Sequence, residues 1–398
     1  KVDPNEENLE WHVQRKKIKY GKTLDAILED RSEDNPFVKN EPLHPEYNKL
    51  KGALAKYKEL EKKGGWQPIT LTNKKLIKGD TLPEVLALKN RLVASGDLIS
   101  ATKDTVFDQN LEEGVKRFQR RHGMKDDGIV TGKTLEALNV TVGERIEQIL
   151  INMERWRWVP QMTSENYFVV NIPEYKLHVY EKNKEVWTMN VIVGKAATFT
   201  PIFNDEMEYV VMSPYWNVPQ SIVDNELLPL LKKNPIVLDK EDMEMYKGDP
   251  KNPISPYDVD WSTVTVENNK YKFRQRPGPK NALGRVKFLF PNEFDVYLHD
   301  TPSGNLFSQQ DRNFSHGCIR LQEPQKLAEY VLKEDSNWPA EKIDEQMHSG
   351  EEKYVKLKNK IPVYIVYFTA WVDPSGQVNF RNDVYGHDAK LAKVYFEK

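Results

Sequence analysis

The chain of 398 residues contains a single cysteine, Cys318, which excludes an internal disulfide framework and a zinc site built from several cysteines. Long apolar runs are also missing, so no stretch of the sequence predicts a transmembrane helix. The sequence also lacks an excess of one charge, because it contains 58 basic and 60 acidic residues, for a formal net charge of −2. This balance argues against a nucleic-acid partner, which would favour a basic surface.

A secretory signal is not visible either, since the first residues, KVDPNEENLE, are already polar. We expect that a targeting segment has been removed from the chain or lies outside this sequence. The sequence leaves open whether that segment is a cleaved signal, a lipid anchor or a membrane helix. Aromatic residues, in contrast, are plentiful, with 9 tryptophans and 18 tyrosines. They suit flat contacts with sugar or peptide, although core packing explains most of them equally well.

Helical periodicity dominates the first part of the chain. Residues 1–72 predict the first part of a helical scaffold, with one helix over KTLDAILEDR and another over EYNKLKGALAKYKELEKK. Residues 73–140 contain three shorter amphipathic segments, the last of which begins near Thr131. Residues 141–163 predict a further scaffold helix that ends near Pro160.

The period then changes from helix-like to strand-like. Residues 164–373 are rich in short β-branched and aromatic runs separated by turn residues, which predicts a mainly β domain. Residues 220–274 interrupt this pattern with a charged, proline-rich and partly helical stretch, which we interpret as an inserted cap. Residues 374–398 are expected to pack back on the scaffold. The predicted fold class is therefore α+β with several domains.

The residues with the clearest chemistry lie in the string YLHDTPSGNLFSQQDRNFSHGCIRL, which spans Tyr297–Leu321. Cys318 follows His316 by two positions, with Gly317 between them, and His299 lies upstream. A sulfur nucleophile needs a base that takes its proton and backbone N–H groups that stabilise the reacting carbonyl oxygen. Glycine permits the turn that would expose the sulfur. Cys318 and His299 are therefore the candidate nucleophile and base, and Gly317 supports the candidate oxyanion hole.

Other residues near the string are candidates for supporting roles. Ser315 and His316 precede the glycine and are expected to hold the loop or flank the oxyanion hole. Tyr297 and Trp216 are candidate substrate-binding aromatics, although packing explains Trp216 at least as well. Arg320 has two open interpretations: it binds a substrate carboxylate with a two-pronged contact, or it forms a structural salt bridge.

The whole pattern, H-x₁₅-S-H-G-C-I-R, resembles the catalytic domain of the L,D-transpeptidases. The flanking strings SPYWNVP, RQRPGPKNALGRVKF and YLHDTP resemble a subgroup that combines a helical scaffold, a peptidoglycan-binding module and a capped catalytic domain. Residues 73–140, with FD-x₂-L-x₃-V-x-x-FQ followed by HG and DG, resemble the three-helix peptidoglycan-binding module itself. The resemblance spans nearly the whole chain.

The resemblance implies a reaction and the roles of its residues. Cys318 would attack the carbonyl of the third residue of a tetrapeptide stem, and His299 would be the base, forming a thiolate–imidazolium pair with it. A backbone carbonyl at or near Asp300 would orient the imidazole ring. The terminal D-alanine would leave, and a side-chain amine of a second stem would resolve the thioester into a 3→3 crosslink. The family also implies glycan strands as partners, covalent inhibition by carbapenem β-lactams, and no metal or organic cofactor.

Several alternatives remain open from the sequence. Water as acceptor would make the protein an L,D-carboxypeptidase, and a protein lysine as acceptor would make it an anchoring enzyme. A non-catalytic, wall-binding scaffold is a different class of function. A zinc hydrolase using His299, His316 and Cys318 is a further rival, since three ligands and one open position would suit catalysis. The inferred substrate implies an exported protein in the periplasm or cell envelope, close to the membrane through its targeting segment.

Overall fold

The computed structural model describes residues 2–13, 28–29, 44–159 and 164–396. Most of the predicted helix over KTLDAILEDR, residues 22–31, lies outside these ranges, as does Pro160. Within the described ranges the helical N-terminal part and the mainly β domain confirm the predicted α+β class. None of the described helices is long and apolar enough to cross a bilayer.

Five helices lie between residues 45 and 158. The longest two pack on each other, and Leu50 and Ile149 on their facing sides are fully buried. A capping box starts the second of them: the Thr141 side chain accepts from the Glu144 N–H and the Glu144 carboxylate accepts from the Thr141 N–H. The helices are α1 (Pro45–Lys62), α2 (Glu84–Ala94), α3 (Gln109–Arg121), α4 (Gly132–Asn139) and α5 (Val142–Trp158).

Helices α2, α3 and α4 enclose a small core of their own. Leu88, Leu92, Phe107 and Phe118 are fully buried in it, and this cluster is separate from the core under the large sheet. Asp108 caps α3, because its carboxylate accepts the N–H of the third residue of that helix at 2.8 Å. These residues fall inside the range 73–140, where the sequence predicts a three-helix module.

A nine-stranded sheet forms the centre of the β domain, in the order β11-β3-β12-β10-β9-β4-β13-β1-β2. The apolar side chains of this sheet form the main core together with apolar side chains of α1 and α5. Its strands are β1 (Tyr167–Asn171), β2 (Lys176–Glu181), β3 (Lys184–Gly194), β4 (Phe203–Met212), β9 (Val286–Leu289), β10 (Leu298–His299), β11 (Asn313–Ser315), β12 (Ile319–Leu321) and β13 (Lys353–Val366).

Between β4 and β9 the chain leaves the large sheet and builds an insert with its own core, which includes Leu231, Met245, Trp261 and Phe273. A four-stranded sheet in the order β5-β8-β6-β7, which the sequence does not predict, spans residues 216–275 and is slightly wider than the predicted cap. Its elements are β5 (Trp216–Asn217), α6 (Gln220–Ile222), a π-helical turn (Val223–Leu227), α7 (Leu228–Lys233), α8 (Val237–Lys240), β6 (Met243–Tyr246), β7 (Pro253–Ile254) and β8 (Lys272–Gln275).

The last part of the chain returns to the helical half of the molecule. Helices α9 (Pro324–Leu332) and α10 (Ala340–His348) precede β13, and the hairpin β14 (Ala370–Val372) and β15 (Val378–Phe380) follows it. The hairpin touches α1 and α3, and the final helix, α11 (His387–Phe396), packs on α5. We refer below to residues 374–396 as the C-terminal tail.

Candidate active site

The pairing of β10 with β12 brings the candidate nucleophile and base to one face of the sheet. The two strands run parallel, with His299 directly opposite Arg320. The N–H of the residue after Cys318 bonds to the Tyr297 carbonyl at 3.1 Å, so the register continues and places Tyr297 opposite Cys318. Residues two apart on a strand face the same side. The four side chains therefore form a square, which we call the catalytic square.

The imidazole of His299 is held by a backbone carbonyl. Its Nδ1 lies 2.5 Å from the Asp300 carbonyl oxygen, which can only accept, so Nδ1 donates and Nε2 is left as the basic atom. The Asp300 carboxylate is directed elsewhere and accepts the N–H groups of Arg285 and Thr301, each at 2.7 Å. The carbonyl of Asp300, and not its carboxylate, is the group that holds the ring.

Both reacting groups favour their neutral forms in this structure. Burial lowers the pKa of His299 to about 3, and the positive charges of Arg320 and Lys287 act in the same direction. Burial raises the pKa of the Cys318 thiol, although hydrogen bonds from Tyr297 oppose the rise. Burial penalises both charged groups, so these pKa shifts favour the neutral thiol and imidazole over the thiolate–imidazolium pair that the resemblance implies.

The thiol is half-buried and its present partner is not the imidazole. Sγ of Cys318 donates to the carbonyl oxygen of Asp295 at 3.7 Å. Across the described residues, no hydrogen bond joins Sγ to the imidazole of His299. Direct proton transfer between the two therefore requires the thiol to turn away from Asp295.

The loop before Cys318 is shaped by Ser315 and Gly317. The Ser315 hydroxyl donates to the Cys318 carbonyl at 2.5 Å and accepts the N–H of Gly317 at 3.1 Å. Gly317 has a φ of +118°, a conformation that L-residues rarely adopt. Because its N–H is taken by Ser315, that group does not serve an oxyanion. The contribution of Gly317 is the turn itself, which presents the following residue.

A buried threonine that the sequence does not single out braces this loop. Thr200 is fully buried, and its hydroxyl donates to the Gly317 carbonyl at 2.7 Å. Lys195 and Thr198, from the same segment, hold the carbonyl of Ser315, two residues earlier, through an N–H at 3.0 Å and a hydroxyl at 3.2 Å. Three donors from one segment therefore fix the carbonyls on either side of His316.

His316 and Trp216 belong to the insert side of the site. Nε2 of His316 lies 2.8 Å from the carboxylate of Glu226, which belongs to the π-helical turn of the insert. His316 therefore links the loop to the insert and turns away from the thiol. Trp216 pairs with Gln275 in the insert sheet and is half-buried. In the described part of the chain it makes no hydrogen bond or ring contact with the catalytic square.

Arg320 is the fourth member of the catalytic square and has no fixed partner among the described residues. Its Nε is buried and makes no hydrogen bond, and no ion pair of Arg320 occurs within the described residues. The salt-bridge interpretation is therefore not what the structure supports. A guanidinium beside the imidazole, with an unused donor, fits the alternative in which Arg320 binds a substrate carboxylate.

The described residues do not support a metal site at this position. They contain no group of three or more histidine, cysteine, aspartate or glutamate side chains that could hold a metal ion. His316, one of the three ligands that a zinc hydrolase would need, is bonded to Glu226 instead. The donor set that this alternative requires is not assembled.

Comparison with known proteins identifies the family. The family model of the "L,D-transpeptidase catalytic domain" matches residues 165–387, and that of the "Putative peptidoglycan binding domain" matches residues 81–138. The first match covers more than half of the chain. The chain belongs to the L,D-transpeptidase catalytic-domain family. The match extends past residue 373 into the C-terminal tail.

Three individual proteins illustrate what the chain is similar to. A protein of Haemophilus influenzae named "Putative L,D-transpeptidase" is 31% identical over 246 residues, which cover 62% of this chain and 49% of that protein. The chain therefore spans about half the length of this relative. A solved L,D-transpeptidase from Mycobacterium smegmatis is 15% identical, with coverage of 52% and 61% and a TM-score of 0.26. One from Stackebrandtia nassauensis is 13% identical, with coverage of 75% and 97% and a TM-score of 0.29. Neither superposition supports a residue-by-residue comparison.

Proposed function

We propose that this protein is an L,D-transpeptidase that crosslinks the peptide stems of peptidoglycan through a thioester on Cys318. The observation that carries the proposal is the catalytic square, in which the only thiol of the chain shares a sheet face with a carbonyl-oriented imidazole. Membership of the L,D-transpeptidase family and the match of residues 81–138 to a peptidoglycan-binding family support the substrate class.

The reaction follows from the atoms of the square. Sγ of Cys318 attacks the carbonyl carbon of the third stem residue while its proton passes to Nε2 of His299. The C–S bond forms, the C–N bond to D-alanine breaks, and the imidazolium returns the proton to the leaving amine. A side-chain amine of a second stem then attacks the thioester and gives a 3→3 amide crosslink, with the sulfur leaving as the thiol. Since both groups start neutral, the proton moves together with the attack.

Arg320 would select the donor stem by its free carboxylate. The leaving D-alanine carries a carboxylate next to the amine that His299 must protonate. Arg320 lies directly opposite His299 and has a buried Nε without a partner. A two-pronged contact with that carboxylate would satisfy the donor and hold the amine near the imidazole.

The insert would protect the thioester from water. It contacts the nucleophile loop through Glu226 and His316, so it lies over the edge of the site. Exclusion of water favours an amine as the acceptor. The proposed substrate places the protein in the cell envelope, in or facing the periplasm, and a reactive acyl-accepting thiol would make it a target of carbapenems.

Intact-mass spectrometry after incubation with a tetrapeptide muropeptide tests the proposal. We expect Cys318 to gain the mass of the acyl donor minus D-alanine, and dimeric products with 3→3 crosslinks to accumulate. Cys318→Ala should abolish both, and His299→Gln should slow acylation by roughly 100-fold or more. Crosslinking by the alanine variant would contradict the assignment of the nucleophile. Release of tripeptide without dimers would instead identify a carboxypeptidase.

A further inference from the structure

The C-terminal tail contacts the segment that braces the nucleophile loop. The phenol of Tyr385 donates to the carbonyl of Gly194 at 2.5 Å and accepts the N–H of Thr200 at 3.4 Å. The N–H of Gly194 donates in turn to the Thr200 hydroxyl at 2.9 Å. These three hydrogen bonds close a ring between the tail and the segment that follows β3. We call it the tail ring.

The tail ring fixes the direction of the Thr200 hydroxyl. That oxygen accepts from Gly194, so its own hydrogen is free to point at the Gly317 carbonyl, 2.7 Å away. Only glycine fits at position 194, because a Cβ there would lie 2.2 Å from the Thr198 carbonyl oxygen. A buried hydroxyl with a partner on each side has one orientation, and chains of such bonds strengthen one another.

A chain of hydrogen bonds connects Tyr385 to the helical scaffold. Its N–H donates to the Tyr367 phenol at 2.9 Å, and that phenol donates to Asp383 at 2.7 Å. The other oxygen of Asp383 accepts the N–H of Asp388 at 2.9 Å, and the Asp388 carboxylate bonds to Arg155 of α5 at 2.6 Å. The phenol of Tyr385 is therefore positioned by side chains anchored in the helical half of the molecule.

We propose that Tyr385 and Thr200 are positioning residues for the nucleophile: they hold the Gly317 carbonyl and thereby aim Sγ of the next residue. The inference rests on the proposed function and deepens it. A turn at φ +118° is open to many conformations in glycine, so it needs an external restraint to present Cys318 in one direction. The restraint acts on alignment, so it affects the rate of acylation more than the binding of the donor stem.

The test compares single-turnover acylation of Cys318 by a tetrapeptide muropeptide in matched variants. Thr200→Val keeps the shape of the buried side chain and removes the hydroxyl, Thr200→Ser restores the hydroxyl, and Tyr385→Phe removes only the phenol oxygen. We expect the valine and phenylalanine variants to lose roughly 10- to 100-fold in the acylation rate constant with little change in KM. The serine variant should recover most of the rate.

Controls separate alignment from general destabilisation. Tyr330→Phe removes a phenol that donates to Glu181, far from the nucleophile loop in the hydrogen-bond network, so this variant should acylate at the wild-type rate. Iodoacetamide needs no stem alignment, so it should alkylate Cys318 of the Tyr385→Phe and Thr200→Val variants at close to the wild-type rate. Urea unfolding monitors the fold of each variant.

The outcomes separate a failure of this inference from a failure of the proposed function. Wild-type acylation rates in both Thr200→Val and Tyr385→Phe would overturn the inference, as would a serine variant no better than valine. A fall in iodoacetamide reactivity equal to the fall in acylation would mean that the fold of the site is lost, which also contradicts a role in alignment. If the wild-type chain formed no acyl-enzyme, the proposed function would fail and this inference would fall with it.

Discussion

His299 lies between two cations on neighbouring strands. Arg320 is opposite it on β12, and Lys287 is opposite it on β9. Lys287 is buried and weakly partnered, with Nζ 3.4 Å from the Tyr215 carbonyl and 4.0 Å from the Glu352 carboxylate. Positive charge on both sides disfavours the imidazolium. The ring therefore stays unprotonated at neutral pH and is ready to accept the thiol proton when attack begins.

The pH dependence of thiol alkylation tests this resting state. Because burial raises the pKa of Cys318, the rate of iodoacetamide alkylation should climb with pH through a midpoint above that of a free thiol. Tyr297→Phe should move the midpoint to still higher pH, since the hydrogen bonds of Tyr297 favour the thiolate. The chain has one cysteine, so the alkylated mass reports this site alone.

The alkylation experiment has a matched control variant and a result that would contradict the neutral resting state. Tyr257→Phe changes an exposed phenol of the insert that bonds to Asp239, and it should leave the midpoint unchanged. A plateau of fast alkylation reaching down to about pH 5 would mean that a thiolate–imidazolium pair already exists, as in strongly activated cysteines. That result would contradict the neutral pair.

The insert is an element with its own core and a light contact with the site. At its base, Asn281 donates to the carbonyls of Pro214 and Arg276, each at 2.9 Å, so this attachment is well defined. At the nucleophile loop, Glu226 meets His316 in an exposed pair. Exposed contacts between polar or charged side chains contribute about 0 to 1 kcal/mol. The insert is therefore held firmly at one end and weakly at the other, which suits a cover that admits a stem.

Glu226→Ala should change the fate of the thioester more than its formation. Without the contact with His316 the insert covers the loop less well, so we expect the hydrolysed share of products to rise a few-fold against the crosslinked share. Asp224→Ala, on the same π-helical turn, removes a carboxylate that bonds only within the insert to Gln220, and it is the matched control. Product ratios measured by chromatography and mass spectrometry report the effect. An unchanged ratio for Glu226→Ala would contradict a shielding role for this contact.

Local signals made part of this element structure predictable. Strand-like alternation indicated the large sheet, and the glycine of the SHGC string indicated a turn, because both depend on neighbouring residues. The insert sheet was missed because Trp216–Asn217 and Pro253–Ile254 are strands of two residues, too short for any period. The brace was missed because Thr200 lies 117 positions from Gly317 and Tyr385 lies 191 positions from Gly194. No local pattern records such pairs.

Across the whole molecule, the three-helix module is fastened to the C-terminal tail. Arg121 of α3 makes a buried two-pronged contact with Asp97, at 2.6 and 2.5 Å, and also donates to the carbonyl of Val378 at 3.1 Å. Arg381 of the tail donates back to the Arg121 carbonyl at 2.9 Å. The module and the catalytic sheet therefore hold a fixed distance, so a glycan bound by one would present stems to the other at a defined spacing.

The buried histidines predict that the whole fold weakens in mild acid. Burial lowers the pKa of His299 to about 3, those of His387 and His44 to about 4 and that of His122 well below its usual value. Below about pH 6.5 the unfolded chain binds protons that the folded chain does not bind, so stability falls as the pH falls. Four such groups lower the free energy of unfolding by up to about 5 kcal/mol per pH unit.

Urea unfolding at pH 7, 6 and 5 measures this loss, and His387→Phe should reduce the slope by about a quarter. His178 does not offset this loss of stability in acid. Burial alone would lower its pKa, but Glu174 and Glu185 raise it to about 9. Its stabilisation is complete below pH 6.5 and is lost only as the pH rises through 9. A free energy of unfolding that stays constant from pH 7 to pH 5 would refute the prediction.

The contact between Tyr385 and Gly194 can form only after the catalytic sheet has been synthesised. Tyr385 follows the last strand of the catalytic sheet in the chain, so a ribosome makes it after Cys318 and every strand around it. Until that tyrosine has emerged and docked, the turn before Cys318 lacks the restraint that we propose. The nascent chain therefore carries the thiol before the Gly317 turn is restrained, and we expect acylation of Cys318 only after Tyr385 has been synthesised and has docked.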